Sequence, residues 1–437
     1  MRHRFYSSKL ARPLVLGILS TLAMTSQAIP IQGSGRAIAS AQAPIESPEG
    51  HEHRAGIQAL VDGNLSLAKT HFEASLKIDP KYAPALIGLA SVAQSENKPA
   101  EAEQYLQRAE RAAPQSAVVY LAWGRYFVAN KQLDRAEHSL LQASEADPKA
   151  IPPLLELGDL YLRGNRAADA LKVFRNAATL DAKNRFAQFG LGTAAAALGR
   201  REEALQAFEA TAKLAPKDPA PLRAAGLIYM EMGALDKAMS AFNAGLSRQP
   251  KFLPLMLDRA DALGRQKHFG DALSQAEQAE KLAPKSAEVQ LRMADLYQGA
   301  QRWKDAESHY LKAIELEPRY ASAYNNLAWM TVARAGEPKM AVEWARKAVE
   351  LSPGSSPFHD TLGWALRAAG DLPGALASLQ QAIKLEPKVA GYHYHLGVVQ
   401  NDLKQTVEAR ESLKLSLGLD PKMPQAEEAR RLLQSLL

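Results

Sequence analysis

The 437-residue sequence contains no cysteine, and this absence excludes disulfide bonds, thiolate catalysis and cysteine-ligated metal sites. It also excludes the lipid-modified cysteine that anchors bacterial lipoproteins. The glycine loops that bind phosphate are missing, as are the zinc-protease motif H-E-x-x-H and the nucleophile motif G-x-S-x-G. We therefore predict a protein that is not an enzyme and that carries no cofactor.

The first 28 residues have the pattern of a secretory signal peptide. Four basic residues within the first twelve precede an apolar run from Leu14 to Met24, and small residues end at Ala28. The apolar run is about half of the ~20 residues that a membrane-spanning helix needs. We expect cleavage near Ala28, with a second possible site after Ala41, and a soluble exported protein, most simply in the bacterial periplasm.

Removal of that segment nearly neutralises the chain. It takes away four of the 53 Lys and Arg residues and none of the 47 acidic ones, which leaves a net charge of about +2 in place of +6. Nucleic acid is therefore not an expected partner. Residues 29–48 are rich in Ala, Ser, Gly and Pro without helical periodicity, so we predict a flexible linker there.

From residue 49 to 423 the chain repeats with a period of 34 residues. The repeat at 356–389 reads as two short helices joined by a turn at Gly370. One spacing is 35, because an extra residue enters the loop at 334–337. A proline, replaced once by Ala182, ends each of eleven predicted repeats: Pro80, Pro114, Pro148, Pro216, Pro250, Pro284, Pro318, Pro353, Pro387 and Pro421. Such a period indicates a helical solenoid.

Two positions of each repeat are always small. The eighth is Gly or Ala, and the twentieth is alanine in every repeat: Ala68, Ala102, Ala136, Ala170, Ala204, Ala238, Ala272, Ala306, Ala341, Ala375 and Ala409. Small residues let two crossing helices approach, and larger apolar residues fill the space beside the crossing. The pattern resembles the tetratricopeptide repeat (TPR) family. This resemblance implies an all-α, right-handed α-solenoid superhelix of TPR-like helix-turn-helix repeats.

Two local features modify this repeat pattern. Arg259 and Ala276 replace the usual leucine and aromatic residue, so the repeat at 253–286 is expected to be a softer joint. Residues 424–437 carry a proline suited to a first helical turn and four leucines, which predicts a C-terminal capping helix.

Three basic or histidine-rich features could bind ligands. His51-Glu52-His53 could hold a metal, but no third ligand is near in sequence, so no metal site is expected. His393 is expected in the core and His395 at the surface. A basic residue follows the terminal proline position in nine repeats: Lys81, Lys149, Lys183, Lys217, Lys251, Lys285, Arg319, Lys388 and Lys422. Helix-dipole compensation explains this row, and an anionic polysaccharide partner stays open.

Aromatic residues make up only 7% of the chain, so two tryptophans one repeat apart are informative. In TPR-like solenoids the fifth and ninth positions of the first helix face the groove. We predict that Asn325, Trp329, Asp360, Trp364 and Tyr394 line a site that binds a partner, because rigid aromatics beside polar groups suit peptide or sugar recognition. Burial of the tryptophans against the next repeat is the alternative.

The runs at 325–329, 360–364 and 394–397 are similar to repeats of bacterial TPR proteins that accompany exopolysaccharide export, including the PEP-CTERM-associated group. This resemblance implies a periplasmic scaffold or adaptor that binds a protein, or a polysaccharide, during cell-envelope assembly. An assembly factor for pili or outer-membrane proteins is the alternative. An enzyme would need a set of catalytic residues that the sequence does not reveal.

Overall fold

A computed structural model describes residues 47–436, which form 23 α-helices and no β-strand. The predicted signal peptide at 1–28 and all but the last two residues of the predicted linker at 29–48 lie outside the described residues. Those last two residues, Ser47 and Pro48, form the N-cap and the first position of the first helix. None of the described helices combines the length and the apolar character that crossing a membrane requires.

The helices alternate between a first and a second helix of each repeat, called A and B helices below. The A helices are α1 (Pro48–Val61), α3 (Ala83–Ser95), α5 (Ala117–Ala129), α7 (Ile151–Arg163), α9 (Arg185–Ala197), α11 (Ala220–Glu231), α13 (Leu253–Arg265), α15 (Ala287–Gly299), α17 (Ala321–Ala333), α19 (Ser356–Ala368) and α21 (Ala390–Asp402). The B helices are α2 (Leu65–Ile78), α4 (Pro99–Ala112), α6 (Leu133–Ala146), α8 (Ala167–Leu180), α10 (Arg201–Leu214), α12 (Leu235–Arg248), α14 (Phe269–Leu282), α16 (Trp303–Leu316), α18 (Pro338–Leu351), α20 (Leu372–Leu385) and α22 (Thr406–Leu419).

The described residues form two compact units. The N-terminal unit runs to Ala234 and includes Ser247–Gln249, and the C-terminal unit comprises Leu235–Leu246 and the chain from Pro250 onward. Within each unit, A helices pack against the B helices that follow them, and several A helices contact the next A helix. The architecture is thus an all-α solenoid, as predicted. Its handedness, the count of eleven repeats and the domain boundaries stay predictions.

The small residues lie where the two helices of a repeat cross. Every alanine at position 20 is fully buried. The glycines at position 8 face the large residue at position 24, so a Cβ added at Gly363 would lie 2.6 Å from Leu379 Cγ. The ring of Phe174 packs against two glycines, Gly158 and Gly190, and leaves no room for a Cβ at either. The crossing therefore depends on these small side chains, as the sequence indicates.

Each A-to-B turn in the described chain has the same backbone geometry. The residue at position 15 adopts a left-handed conformation with φ between 52° and 82° in all of them: Gly63, Asn97, Lys131, Asn165, Gly199, Gly233, Lys267, Gln301, Ala335, Gly370 and Lys404. The N–H of position 16 then donates to the carbonyl of position 11 at 2.8–2.9 Å. This bond closes a Schellman-type cap at the end of every A helix.

The extra residue of the 35-residue spacing lies directly after one of these turns. Ala335 and Gly336 keep the turn geometry, and Glu337 then serves as the N-cap residue of α18. Ala341, at position 20, is fully buried like its counterparts. Both helices of this repeat therefore stay in phase, as expected for an insertion in a loop.

In the repeat at 253–286, the unusual polar residue Arg259 forms hydrogen bonds, and the unusual small residue Ala276 is buried. Arg259 donates from Nε to Asn243 Oδ1 at 2.8 Å and contacts Gln275 through its guanidinium. Ala276 is fully buried. The softness of this repeat stays a prediction.

A last helix, α23 (Ala426–Ser435), packs against α21 and α22. Its buried residues are Ala426 and Ala429, which join Leu413 and Val398 in one apolar cluster. Leu432 and Leu433 pack partly buried against the same cluster. The helix therefore covers apolar surface of the last repeat.

Candidate functional site

The predicted groove residues lie on three successive A helices of the C-terminal unit. Trp329 is on α17, Trp364 on α19 and His395 on α21. The His395 ring stacks on Trp364 with centroids 4.3 Å apart, and it lies 6.0 Å from the Trp329 ring at a tilt of 41°. We call these three side chains the aromatic row. The structure thus joins the two predicted tryptophans through a histidine that the sequence analysis placed elsewhere.

His395 is 1% exposed, so the expectation that it lies at the surface is wrong. Its Nδ1 lies 2.7 Å from Oδ1 of Asp360, which is itself 5% exposed. The physical reason is that successive A helices pack face to face here, which removes both side chains from water. A buried carboxylate is tolerated when a hydrogen-bond donor compensates its desolvation. Asp360 is thus buried against His395 of the aromatic row and is not accessible to a ligand.

Tyr394 is also buried, and its hydroxyl donates to Glu428 Oε2 of α23 at 3.0 Å. Burial and the neighbouring Glu428 carboxylate raise the pKa of Tyr394 above its ordinary value. Its neighbour His393 is buried, as expected, and hydrogen-bonds to the carbonyl of Pro387 at 2.8 Å. Tyr394 therefore connects the last A helix to the helix that follows the repeats.

The partly exposed members of the predicted site are Asn325, Trp329 and Trp364. The amide nitrogen of Asn325 donates to Asn326 Oδ1 at 3.2 Å, while its own Oδ1 is buried without a hydrogen-bond partner. The guanidinium of Arg367 lies 4.8 Å from the Trp364 ring centroid, and its Nε donates to Asp402 Oδ2 at 2.6 Å. A ligand can therefore reach the exposed parts of the two indoles and of the Arg367 side chain, and the partly exposed Asn325 lies one helical turn before Trp329.

The same A-helix face continues toward α13 as a polar surface. Asp261 forms an ion pair with Arg292, and Asp295 accepts hydrogen bonds from Tyr310 at 2.5 Å and Asn326 at 3.0 Å. Desolvation raises the pKa of Asp261 to about 6, although 21% of its side chain stays accessible. The Asp261 carboxylate is therefore largely surrounded by protein, which penalises its charged form.

The N-terminal unit has a related but less aromatic A-helix face. Arg125 of α5 donates to Glu156 of α7 at 2.5 Å, and desolvation raises the pKa of Asp159 to about 6. Phe186 of α9 is 45% exposed, with the Arg185 guanidinium 4.6 Å from its ring centroid. Sequence reasoning missed Phe186 because it considered positions five and nine only. The opposite charges 31 residues apart in Arg125 and Glu156 are a signal that it could have used.

The first helix does not present its histidines as a pair. His53 is buried and packs against Phe72 and Tyr82 with ring centroids 5.7 Å away in each case. Glu52 instead hydrogen-bonds to His71 Nδ1 at 2.7 Å. Between residues 47 and 436, no group of three or more metal-ligating side chains is arranged around a common point.

All nine basic residues at the B-to-A turns are exposed. In four of these turns the aspartate two residues earlier accepts a hydrogen bond from the backbone N–H of the lysine, at 2.9 or 3.0 Å: Lys81, Lys149, Lys183 and Lys422. Each of these four turns therefore carries a carboxylate two residues before its lysine, which reduces the net charge of the turn. The set of basic residues at the B-to-A turns is therefore less basic than the lysines alone suggest.

Known proteins match this chain in fold and repeat pattern. Models of the tetratricopeptide repeat match residues 59–122, 121–185, 189–251, 285–353 and 361–424. Yeast Tom70 superposes with a TM-score of 0.51 at 12% identity, over 89% of this chain and 95% of Tom70. No curated protein sequence matches the chain.

Two further solved structures show lower similarity. The Cut9–Hcn1 hetero-tetramer of the APC/C gives a TM-score of 0.48 at 15% identity, over 90% of this chain and 97% of that one. The pilF protein of Pseudomonas aeruginosa gives 0.42 at 22% identity, over 47% and 94%. Because the repeat models cover most of the sequence between residues 59 and 424, the chain belongs to the tetratricopeptide repeat family.

Proposed function

We propose that this protein is an exported adaptor that holds a partner protein against the A-helix face of its C-terminal unit. TPR repeats generally form scaffolds for protein–protein interaction and are generally not catalytic. The observation that carries the proposal is the partial exposure of Trp329 and Trp364 on one face, beside the polar side chains of Asn325 and Arg367. Partly exposed tryptophans near polar groups are typical of binding surfaces.

The proposed setting is assembly of the cell envelope, with exopolysaccharide export as the specific process. Its support is the signal-peptide pattern of residues 1–28 and the similarity of the last repeats to TPR proteins that accompany such export. The alternative clients are pilus or outer-membrane components. The identity of the captured partner separates these two settings.

The test is partner capture by the full-length protein, with and without the two tryptophans. A photo-crosslinking residue in place of Ser322, which lies on α17 with Asn325 and Trp329, would label the partner in envelope extracts of the source cells, and mass spectrometry would identify it. We expect Trp329→Ala/Trp364→Ala to lose the crosslink while staying folded, with only a modest fall in the thermal unfolding midpoint because both half-buried indoles pack against His395. Trp344→Ala on α18, a partly buried tryptophan of a B helix, is the matched control.

Each outcome of this test bears on the proposal. A crosslinked export component supports the exopolysaccharide setting, and a pilus or barrel component supports the alternative client. Equal crosslinking by the double variant and the wild type would show that the tryptophans do not bind the partner. A large fall in the midpoint would show that they stabilise the core.

An anionic polysaccharide is a second candidate ligand, favoured by the nine exposed basic residues at the B-to-A turns. Alginate retention on a column would test it. Substitution of Lys251, Lys285 and Arg319, all in the C-terminal unit, by glutamine should then weaken retention, more strongly at low salt because screening weakens exposed charge pairs. Unchanged retention in the triple variant would exclude these basic residues as the binding surface.

A further inference from the structure

We infer that His395 is a positioning residue that fixes how Trp329 and Trp364 are presented to the partner. The inference deepens the proposed function, because its consequence for binding rests on the partner-binding role of the same face. Its physical basis is independent of any partner. His395 is buried and contacts both indoles, so it acts on a ligand only through the tryptophans.

The Asp360 carboxylate holds the imidazole in one orientation. A carboxylate oxygen accepts hydrogen bonds, so the 2.7 Å contact assigns the role of donor to Nδ1 of His395. Because both side chains are buried, water does not compete for this bond. The direction of the bond then sets the plane of the imidazole ring, as it does for histidines oriented by a carboxylate in other sites.

The oriented imidazole in turn sets the positions of the indoles. The ring planes of His395 and Trp364 lie within 28° of each other, a stacked contact that restrains the tilt of the indole. The Arg367 guanidinium lies 4.8 Å from the Trp364 ring centroid. The looser contact to Trp329 restrains a tryptophan on an A helix two repeats earlier. One buried side chain therefore links three A helices.

This arrangement also decides how a partner can bind. The His395 imidazole occupies the space between the Trp329 and Trp364 indoles, so a ring of the partner cannot stack in that space. The partner must lie across the accessible parts of the tryptophans, next to Asn325 and Arg367. An extended peptide segment with an apolar side chain fits this arrangement, whereas a ring inserted between the two indoles does not.

The experiment removes the imidazole and supplies it again from solution. His395→Ala leaves a cavity beside the two indoles and the Asp360 carboxylate, and added imidazole can occupy it. The tryptophan band of the near-ultraviolet circular dichroism spectrum reports the packing of the indoles without any partner. We expect His395→Ala to lose part of this band and saturating imidazole to restore it.

His393→Ala is the matched control, because His393 is buried on the same helix two residues earlier and hydrogen-bonds to a backbone carbonyl. We expect His393→Ala to keep the tryptophan band and not to respond to imidazole. If His395→Ala does not fold, His395→Asn replaces it. That variant keeps a hydrogen-bond donor for Asp360 but no ring, and it should lose the band as well.

The outcomes for positioning and for function are separable. A wild-type tryptophan band in folded His395→Ala or His395→Asn would overturn the inference, and so would equal rescue of His393→Ala. Crosslinking to the partner through position 322 should fall in His395→Ala and recover with imidazole. If the wild type captures no partner while the spectra respond as expected, the proposed function fails and the positioning role stands.

Discussion

The left-handed turn residues allow a comparison of two glycine-to-alanine substitutions whose sites differ in the sign of the backbone angle φ. Gly370 closes an A-to-B turn with φ of 82°, while Gly270 lies in the first turn of α14 without a positive φ. An added Cβ would meet no atom within 4 Å at either position. Replacement by alanine therefore tests the conformational cost alone, because neither new methyl group clashes.

The expected effects have opposite signs. Alanine restricts the unfolded chain and stabilises a compatible site by about 0.4–1 kcal/mol. A left-handed conformation costs an L-residue about 1–2 kcal/mol. Gly270→Ala should therefore raise the free energy of unfolding by about 0.5 kcal/mol, and Gly370→Ala should lower it by about 0.5–1 kcal/mol.

The assay is urea unfolding followed by helical circular dichroism, with amide hydrogen exchange in α19 and α20 as the local readout. Lys404→Gly is the reverse test, because Lys404 has φ of 62° without the freedom of glycine. It should raise the free energy of unfolding by about 0.5 kcal/mol. Shifts of the same sign for Gly370→Ala and Gly270→Ala would refute the reasoning.

Four further predictions concern burial, packing and processing. Burial raises the pKa of Asp159 to about 6, so wild-type stability should fall as the pH rises from about 4 to 6. Asp159→Asn should reduce this slope in urea midpoints measured across that range, and the remainder comes in part from Asp261, whose pKa is raised in the same way. Burial lowers the pKa of His53 to about 4, so the hairpin of α1 and α2 should lose stability as the pH falls from about 6.5 to 4. Amide exchange in α1 measures this loss, and His53→Leu should abolish the pH dependence. Gly190→Ala forces a methyl group into the Phe174 ring and should destabilise the N-terminal unit by about 1–3 kcal/mol, measured by urea unfolding. Intact-mass analysis of the mature protein purified from the source cells should give a chain that begins at Ile29, or at Gln42 if the second predicted site is used, and a retained Met1 would contradict the predicted cleavage.

The repeat architecture was predictable because packing at the helix crossings restricts residue type. Ala68 and its counterparts are fully buried, and their uniformity in the sequence reflects this lack of space. The turn geometry was not predictable from the residues that adopt it. Lys131, Lys267 and Lys404 carry the same positive φ as Gly370, and lysine gives no sign of a left-handed conformation.

The candidate site was predicted in part for a different reason. The repeat, with its one-residue insertion, places Trp329 and Trp364 at the same position of successive A helices, and the rings of both lie against His395. It does not say which polar residues are enclosed between neighbouring A helices. His395 and Asp360 are buried because they pair with each other across 35 residues, and one residue's position within its own repeat does not reveal that pairing.

The closed turns have a consequence for the response of the molecule to mechanical force. Each hairpin is held by contacts between residues close in sequence, namely the packing of its A helix against its B helix and the bond from position 16 to position 11. Force applied to the two ends should therefore release the chain hairpin by hairpin, and each 34-residue step should add about 120 Å of extended chain. An optical-tweezers trace of this protein should show a staircase of short, equal steps.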